Sequence, residues 1–429
     1  MSRAASYIEA WRQEALQRDA ADALAPFREK FYIPERSGRP VHYFTGNSLG
    51  LQPRRAATYL EEELEAWRTL AVDGHFEGKR PWYHYHTFFS EHLSRLLGCH
   101  PFECVAMGSL TANLHLLLAS FYRPRGRRIK ILCERRPFPS DLYAFRSQAR
   151  FHGLDPAEAV VELPDNAMSE EDIAAFIRDL GEELAVVVLG GVHYLSGRFF
   201  RPALLAHAAH EVGAFFGLDL AHAVGNVPLN LHADQVDFAC WCSYKYLNSG
   251  PGAVGGLFVH DMHGGRADIP RLEGWWGTDA RTRFRMEDRF DPAPGAEAWQ
   301  LSNAPVFNMA AHLAALEIFS EAGMSALREK SLALTGFLEK GLRTLSEAFP
   351  PAPFKLITPD DPEQRGCQLS LQFVAEDVGR RVFRHLQSRH IVADWREPAT
   401  LRLAPVPLYN TFADVAAALE ALAQGLALE

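Results

Sequence analysis

From Ile129 to His260 the sequence alternates short apolar runs with helical stretches, and that alternation restricts the chain to few architectures. The runs are "IKILCE" (Ile129–Glu134), "LAVVVLGGV" (Leu184–Val192), "AFFGLDL" (Ala214–Leu220), "VDFACWCS" (Val236–Ser243) and "AVGGLFVH" (Ala253–His260). They are short and almost continuously apolar, as strands are when both faces are covered. "SEEDIAAFIRDL" (Ser169–Leu180) opens like a capped helix, with Ser169 followed by Asp172 in the third place. "PALLAHAAHEVG" (Pro202–Gly213) begins with proline and ends with glycine, as helices prefer. The pattern predicts an α/β domain built on a largely parallel sheet between helices.

The flanks read differently. The first residues are helix-forming up to about Phe31, "YIPERSGRPVHYFTGNSLGLQP" (Tyr32–Pro53) is loop-like, and "AATYLEEELEAWRTL" (Ala56–Leu70) is a helix. "GSLTANLHLLLASFY" (Gly108–Tyr122) is a Gly/Ser turn running into an apolar helix. After about Asn308 a long helical stretch leads into a helix-strand-helix-strand tail, a second, smaller α+β domain. The expected division is an N-terminal arm (1–45) packing with the small domain, a large domain (46–308) and a small C-terminal domain (309–429).

Composition narrows the function. The net charge is −9, which argues against nucleic acid as a partner. The basic cluster "RPRGRRIKILCERR" (Arg123–Arg136) reads as a solvated loop before a strand. No apolar run approaches membrane-spanning length, and the N-terminus carries no secretory pattern. Six scattered cysteines form no secreted framework, so a cytoplasmic protein with reduced thiols is expected.

Chemistry concentrates in "CWCSYKYLNSGPGAVGG" (Cys240–Gly256). "GPGAVG" matches a dinucleotide fingerprint in letters but precedes a strand instead of following one, and is rejected. Cys240 and Cys242 have the wrong spacing for a redox or zinc pair and read as small core residues. "WYHYHTFFSEH" and "LAHAAH" hold clustered histidines without the pattern of a metal site, and no metal is expected. Lys245 remains. A lysine beside two tyrosines at the end of an apolar strand suits a desolvated amine that can form a Schiff base. Upstream, Asp219 ends a buried strand, where a carboxylate can meet a ligand, with His222 three residues on. Gly108, Ser109 and Thr111 open a helix, whose free N–H groups favour an anion. An aldehyde cofactor with a pyridine nitrogen and a phosphate would use all three: lysine, carboxylate and helix start.

The order helix start, strand-end aspartate, lysine resembles the aspartate-aminotransferase-like superfamily, the fold type I enzymes of pyridoxal phosphate (PLP). Within it, "YFTGNSLGLQP", "FPSD", "DLAHAVGNVPL", "DFACWCSYKYLNSGPG", "GWWG" and "APVPLYN" resemble the kynureninase family from about Tyr43 to Asn410. The resemblance implies a large domain with a mostly parallel, seven-stranded-type sheet. It implies hydrolysis of L-kynurenine, and of 3-hydroxy-L-kynurenine, to anthranilate or 3-hydroxyanthranilate and L-alanine, a step of tryptophan breakdown and NAD synthesis. By the same resemblance, Lys245 would hold PLP covalently, Asp219 would pair with its ring nitrogen and His222 would support it. Leu110, Thr111, Tyr244 and Trp275 would surround the phosphate. Phe138, Pro139, Ser140 and Asp141 of "FPSD" would line the ring, Phe138 by stacking. Arg402 would bind the substrate α-carboxylate, while Asn47, Ser48, His75, Ser302 and Asn303 would form the substrate pocket. Trp275 and Asn303 would cross from the neighbouring subunit of a homodimer. Tyr244 is the candidate for proton transfer. Gly190 departs from the pattern, since some relatives carry serine there, near the phosphate.

Three alternatives stay in view, of which an aminotransferase is possible on fold grounds but does not explain the kynureninase-like stretches. A cysteine desulfurase or selenocysteine lyase needs a mobile cysteine late in the chain; only Cys367 follows Lys245, and it opens a strand. A regulator that has lost the chemistry has no reason to keep Lys245, Asp219 and Arg402 together.

Overall fold

The computed structural model describes residues 3–264, 266 and 268–428, with side chains from residue 7 onward. Seven strands form the central sheet: β1 (Cys104–Ala106), β2 (Lys130–Cys133), β3 (Val160–Glu162), β4 (Leu184–Gly190), β5 (Phe215–Asp219), β6 (Phe238–Trp241) and β7 (Gly256–Val259). Their order is β1-β7-β6-β5-β4-β2-β3. All pairings from β3 across to β6 are parallel, and β7 runs antiparallel to both β6 and β1. Successive residues of each strand enter opposite cores. Leu132, Val187, Leu189, Ala239 and Trp241 face one, while Ile131, Cys133, Val186, Val188 and Cys240 face the other. Two buried faces are why these strands are apolar at every position instead of every second one.

The capped helix is as read: Ser169 Oγ accepts from the Asp172 N–H at 3.1 Å ahead of helix Glu170–Leu180. The first helix differs. It ends at Ala20, and a separate 3₁₀ turn follows at Ala25–Lys30, where Pro26 lacks the N–H that a continuing α-helix needs. Strand β6 ends at Trp241, so Cys242 already belongs to the bend that carries the chain to Lys245. Cys240 is fully buried and packs as a small hydrophobe.

A second sheet gathers β8 (Phe354–Leu356), β9 (Leu369–Phe373), β10 (Asp394–Arg396) and β11 (Thr400–Leu403) in the antiparallel order β8-β9-β11-β10. Its core includes Leu371, Leu401 and Val415, and takes in Trp11, Ala15 and Phe44 from the N-terminal segment. The change from one core to the other falls inside the helix Met324–Ala348: Leu327 packs with the large sheet's core, Leu334 with the second.

Candidate active site

Parallel strands deliver their carboxyl ends to one edge of the sheet, and a cavity of about 130 Å³ opens there. Leu110, Thr111, Phe138, Ser140, Asp141, Asp219, His222, Tyr244 and Lys245 line it together. Asp219 is the last residue of β5, in register between Gly190 of β4 and Cys240 of β6. One of its oxygens accepts the Ala221 N–H at 2.7 Å, which fixes the carboxylate. Lys245 Nζ stands 5.7 Å from the centre of the Phe138 ring. Thr111 and Ser140 share a hydroxyl contact of 2.8 Å between the two helix starts.

The loop holding Lys245 is shaped by glycines at close approaches. A side chain at Gly50 would collide with the Lys245 carbonyl and with Asn248, and one at Gly46 with Tyr409 and Val406. "GNSLG" is thus wedged between the lysine loop and "APVPLYN", and the Gly50 N–H donates to the Tyr244 carbonyl at 2.8 Å. Gly255 of "GPGAVG" lies against the start of helix Leu110–Phe121, its added Cβ 3.3 Å from the Leu110 nitrogen. That helix has no side-chain cap, so its first-turn N–H groups are free for an anion.

The electrostatics are those of a crowded acidic site. Burial, then the neighbouring Asp219, push the Asp141 carboxyl well up. Burial lifts Glu134, a wall residue the sequence reading missed, to about 7, although the Gly190 N–H donates to it at 3.1 Å. Burial, then the charges of Lys245 and Arg402, hold His222 well below the usual histidine range, so it is neutral. Asp141 Oδ1 and His222 Nδ1 are buried without a partner. A cationic aromatic ring with a phosphate tail answers these demands: Asp219 for a ring N–H, Asp141 and His222 for ring substituents, the helix start for the phosphate. PLP fits.

Other expected residues lie elsewhere. Pro139 is exposed and does not line the cavity; it starts the helix Pro139–Phe151, and only its neighbours Phe138, Ser140 and Asp141 face inward. Arg402 is fully buried beyond the wall, its Nε and Nη2 donating to Asp394 and its Nη1 to the Tyr194 carbonyl. Of the five guanidinium hydrogens, this leaves one on each Nη for a carboxylate. Tyr194, also unforeseen, lines the cavity and meets Phe138 edge-on at 5.4 Å. Its carbonyl further accepts from Gln368 at 3.1 Å, and Gln368 accepts from Asn47 at 2.7 Å. Asn47 and Arg402 therefore reach the cavity through one backbone carbonyl. Ser48 is exposed beside them.

His75, Trp275, Ser302 and Asn303 line a separate aromatic trench of about 420 Å³ with Phe76, Tyr83 and Phe284. Cys367 is buried, its N–H bound to Asn226 at 2.9 Å and its thiol pushed up to about 12 by burial, so it is no mobile nucleophile. No local signal marked Glu134 or Tyr194: each follows an apolar strand end, and only the fold turns them onto the cavity.

Residues 327–422 match the kynureninase C-terminal domain, and residues 109–368 match class-V aminotransferases. The kynureninase of Myxococcus xanthus (strain DK1622) is 52% identical over 402 residues, spanning 92% of this chain and 93% of that protein. That of Xanthomonas campestris pv. campestris (strain B100) is 50% identical over 409 residues, spanning 94% and 95%. Among solved structures, a cysteine desulfurase from Escherichia coli superposes with a TM-score of 0.73 at 20% identity, covering 94% of this chain and 98% of that one. A cystine C–S lyase with cysteine persulfide gives 0.73 at 18%, covering 89% and 97%. At those identities the structural likeness establishes the fold, and the sequence relatives establish the family. The chain belongs to the kynureninase family, PLP enzymes that hydrolyse a carbon–carbon bond.

Proposed function

We propose that this chain converts L-kynurenine and 3-hydroxy-L-kynurenine, with water, to anthranilate or 3-hydroxyanthranilate and L-alanine, as a cytoplasmic homodimer with shared active sites. One observation carries the reading: a single ring-sized cavity gathers the Lys245 amine, the Asp219 and Asp141 carboxyls, neutral His222 and an uncapped helix start. PLP, when bound, supplies an electron sink for negative charge at the substrate Cα. Lys245 would hold the cofactor, and its amine would also move the proton at the substrate Cα. Asp219 would pair with the ring nitrogen, and Phe138 would cover the ring. The two free Arg402 hydrogens grip the α-carboxylate, and Asn47 braces that grip through Gln368 and Tyr194. Water adds to the aryl ketone carbon, and as the Cβ–Cγ bond breaks the ketone carbon leaves as the anthranilate carboxylate while the bonding pair stays with Cβ, to which Tyr244 would deliver a proton. Burial, then Cys242, push the Tyr244 phenol up, so it keeps its proton until that step.

The trench supports the dimer. Trp275, Phe76, Phe284 and Leu301 are exposed, as are Ser302 and Asn303. An aromatic slot with polar ends suits an aryl ring bearing an amine or hydroxyl, and the lysine cavity of the same chain does not include it. A partner's cavity set against it would receive Trp275, Asn303, Ser302 and His75. Of the division at 1–45, 46–308 and 309–429, a small domain with the arm's Trp11 and Phe44 in its core is supported, but Leu24, Phe31 and Leu313 pack with the large sheet, which favours a small-domain start inside Met324–Ala348.

The test is turnover of both substrates by purified holoenzyme. Anthranilate and alanine should appear in equal amounts, with kcat/KM values for the two substrates within about tenfold. Absence of either anthranilate product ends the reading.

A further inference from the structure

At the end of the sheet opposite Lys245, four side chains from three separated segments converge. Glu103 immediately precedes β1, His232 lies between β5 and β6, and His260 and Asp261 directly follow β7. Their ligand atoms all lie within 4.8 Å of one another. His232 Nδ1 stands 3.0 and 3.1 Å from the two Glu103 oxygens. His260 Nδ1 stands 2.8 Å from Asp261 Oδ1 and 3.7 Å from Glu103 Oε1. Donors around a tetrahedral zinc ion, each about 2.0–2.1 Å from the metal, are about 3.3 Å apart, in the middle of that range.

The hydrogen bonds around His260 show which nitrogen is free. Its Nε2 is 3.2 Å from the His232 carbonyl, which can only accept, so Nε2 carries the hydrogen. Its Nδ1 receives the Met262 N–H at 3.3 Å, which marks it as a lone pair. That lone pair faces two carboxylate oxygens, an arrangement that calls for a positive charge between them. A ring N–H held by a backbone carbonyl is also how metal-binding histidines are oriented. Charging both rings instead would stack two cations, since the His232 and His260 rings lie 4.7 Å apart at 18°. Glu103 is set by backbone N–H groups of His100 and Asp261, each at 2.8 Å. Glu103 and His260 are buried, while His232 and Asp261 are 37% and 44% exposed and leave an entry path.

We propose that Glu103, His232, His260 and Asp261 form a structural site for a divalent transition-metal cation of the zinc class, clamping the edge strand β1 to its neighbour β7 away from the cofactor. Two imidazoles with two carboxylates select such a metal over magnesium or calcium. The spacing is invisible to a motif search, because 28 residues separate the histidines (260 − 232).

The test uses holoenzyme dialysed against a chelator and titrated with Zn²⁺. One saturable equivalent per chain should bind, and Tm should rise by about 2–4 °C at roughly 100 times Kd, with kynurenine turnover unchanged. His232→Ala and Asp261→Asn should each weaken binding at least about tenfold while keeping the cofactor's visible absorbance. Failure to find one saturable equivalent in the unaltered enzyme overturns the proposal. So does undiminished binding in both variants, which would place the ion elsewhere.

Discussion

The lysine cavity and the aromatic trench are built by opposite rules. The cavity is small, lined by carboxyls and hydroxyls, and assembled at the carboxyl ends of parallel strands. The trench is about three times larger and walled by Trp275, Trp276, Phe76, Tyr83 and Phe284, on segments outside the sheet. The difference teaches a division of labour. Charged chemistry needs side chains anchored where strands end and helices start, and one chain brings Lys245, Asp219, Asp141 and His222 together. A flat aromatic substrate needs an apolar slot, the role proposed for the trench, whose Trp275, Phe76 and Phe284 are exposed.

Lys245→Ala tests the cavity's half most severely. Turnover should fall at least about 10³-fold, and borohydride should no longer fix cofactor to the chain. Mixing protomers tests the division itself. Lys245→Ala chains and Trp275→Ala/Asn303→Ala chains should each be inactive as pure dimers. After random exchange half the dimers are mixed, and each mixed dimer has one intact site of two. Activity should therefore return to about a quarter of the unaltered enzyme's if the trench serves the partner. No recovery would assign the trench to its own chain and break the comparison.

Tyr244→Phe should lower kcat by about 10–100-fold with cofactor occupancy retained. Lost occupancy with normal turnover per bound cofactor would make Tyr244 a phosphate contact only. Glu134 bears on stability and not on turnover. Its folded value of about 7 lies above the ordinary 4.5, so the stability of its protonated form is present below about pH 4.5 and is lost as pH rises through 7. Without cofactor, Glu134→Gln should match the unaltered chain near pH 4.5 and exceed it at pH 8. The difference should be on the order of 3 kcal/mol, read from denaturant midpoints.

Much of this was legible beforehand. The apolar strands were readable because both faces are buried, which leaves an unbroken signature. The helix Ala56–Leu70 and the Ser169 cap were readable because capping and periodicity are local. Lys245, Asp219 and His222 could be named because residue types at strand ends point to a cofactor. Glu134 and Tyr194 could not, since an acid or a tyrosine after a strand is ordinary until β2 and β4 lie side by side.

"CWCSYKYLNSGPGAVGG" shows where the boundary falls. Sequence alone excluded its thiols and glycines as motifs, by spacing and order, and left the lysine as the proposed carrier of the chemistry. Only the tertiary structure decided what the rest does. Cys240 fills a core, and Gly255 clears the start of the Leu110 helix. Arg402 is shared between Asp394 and Tyr194. Those roles depend on atoms a few ångströms apart in space and up to 208 residues apart in sequence, and close packing is set by the whole chain at once.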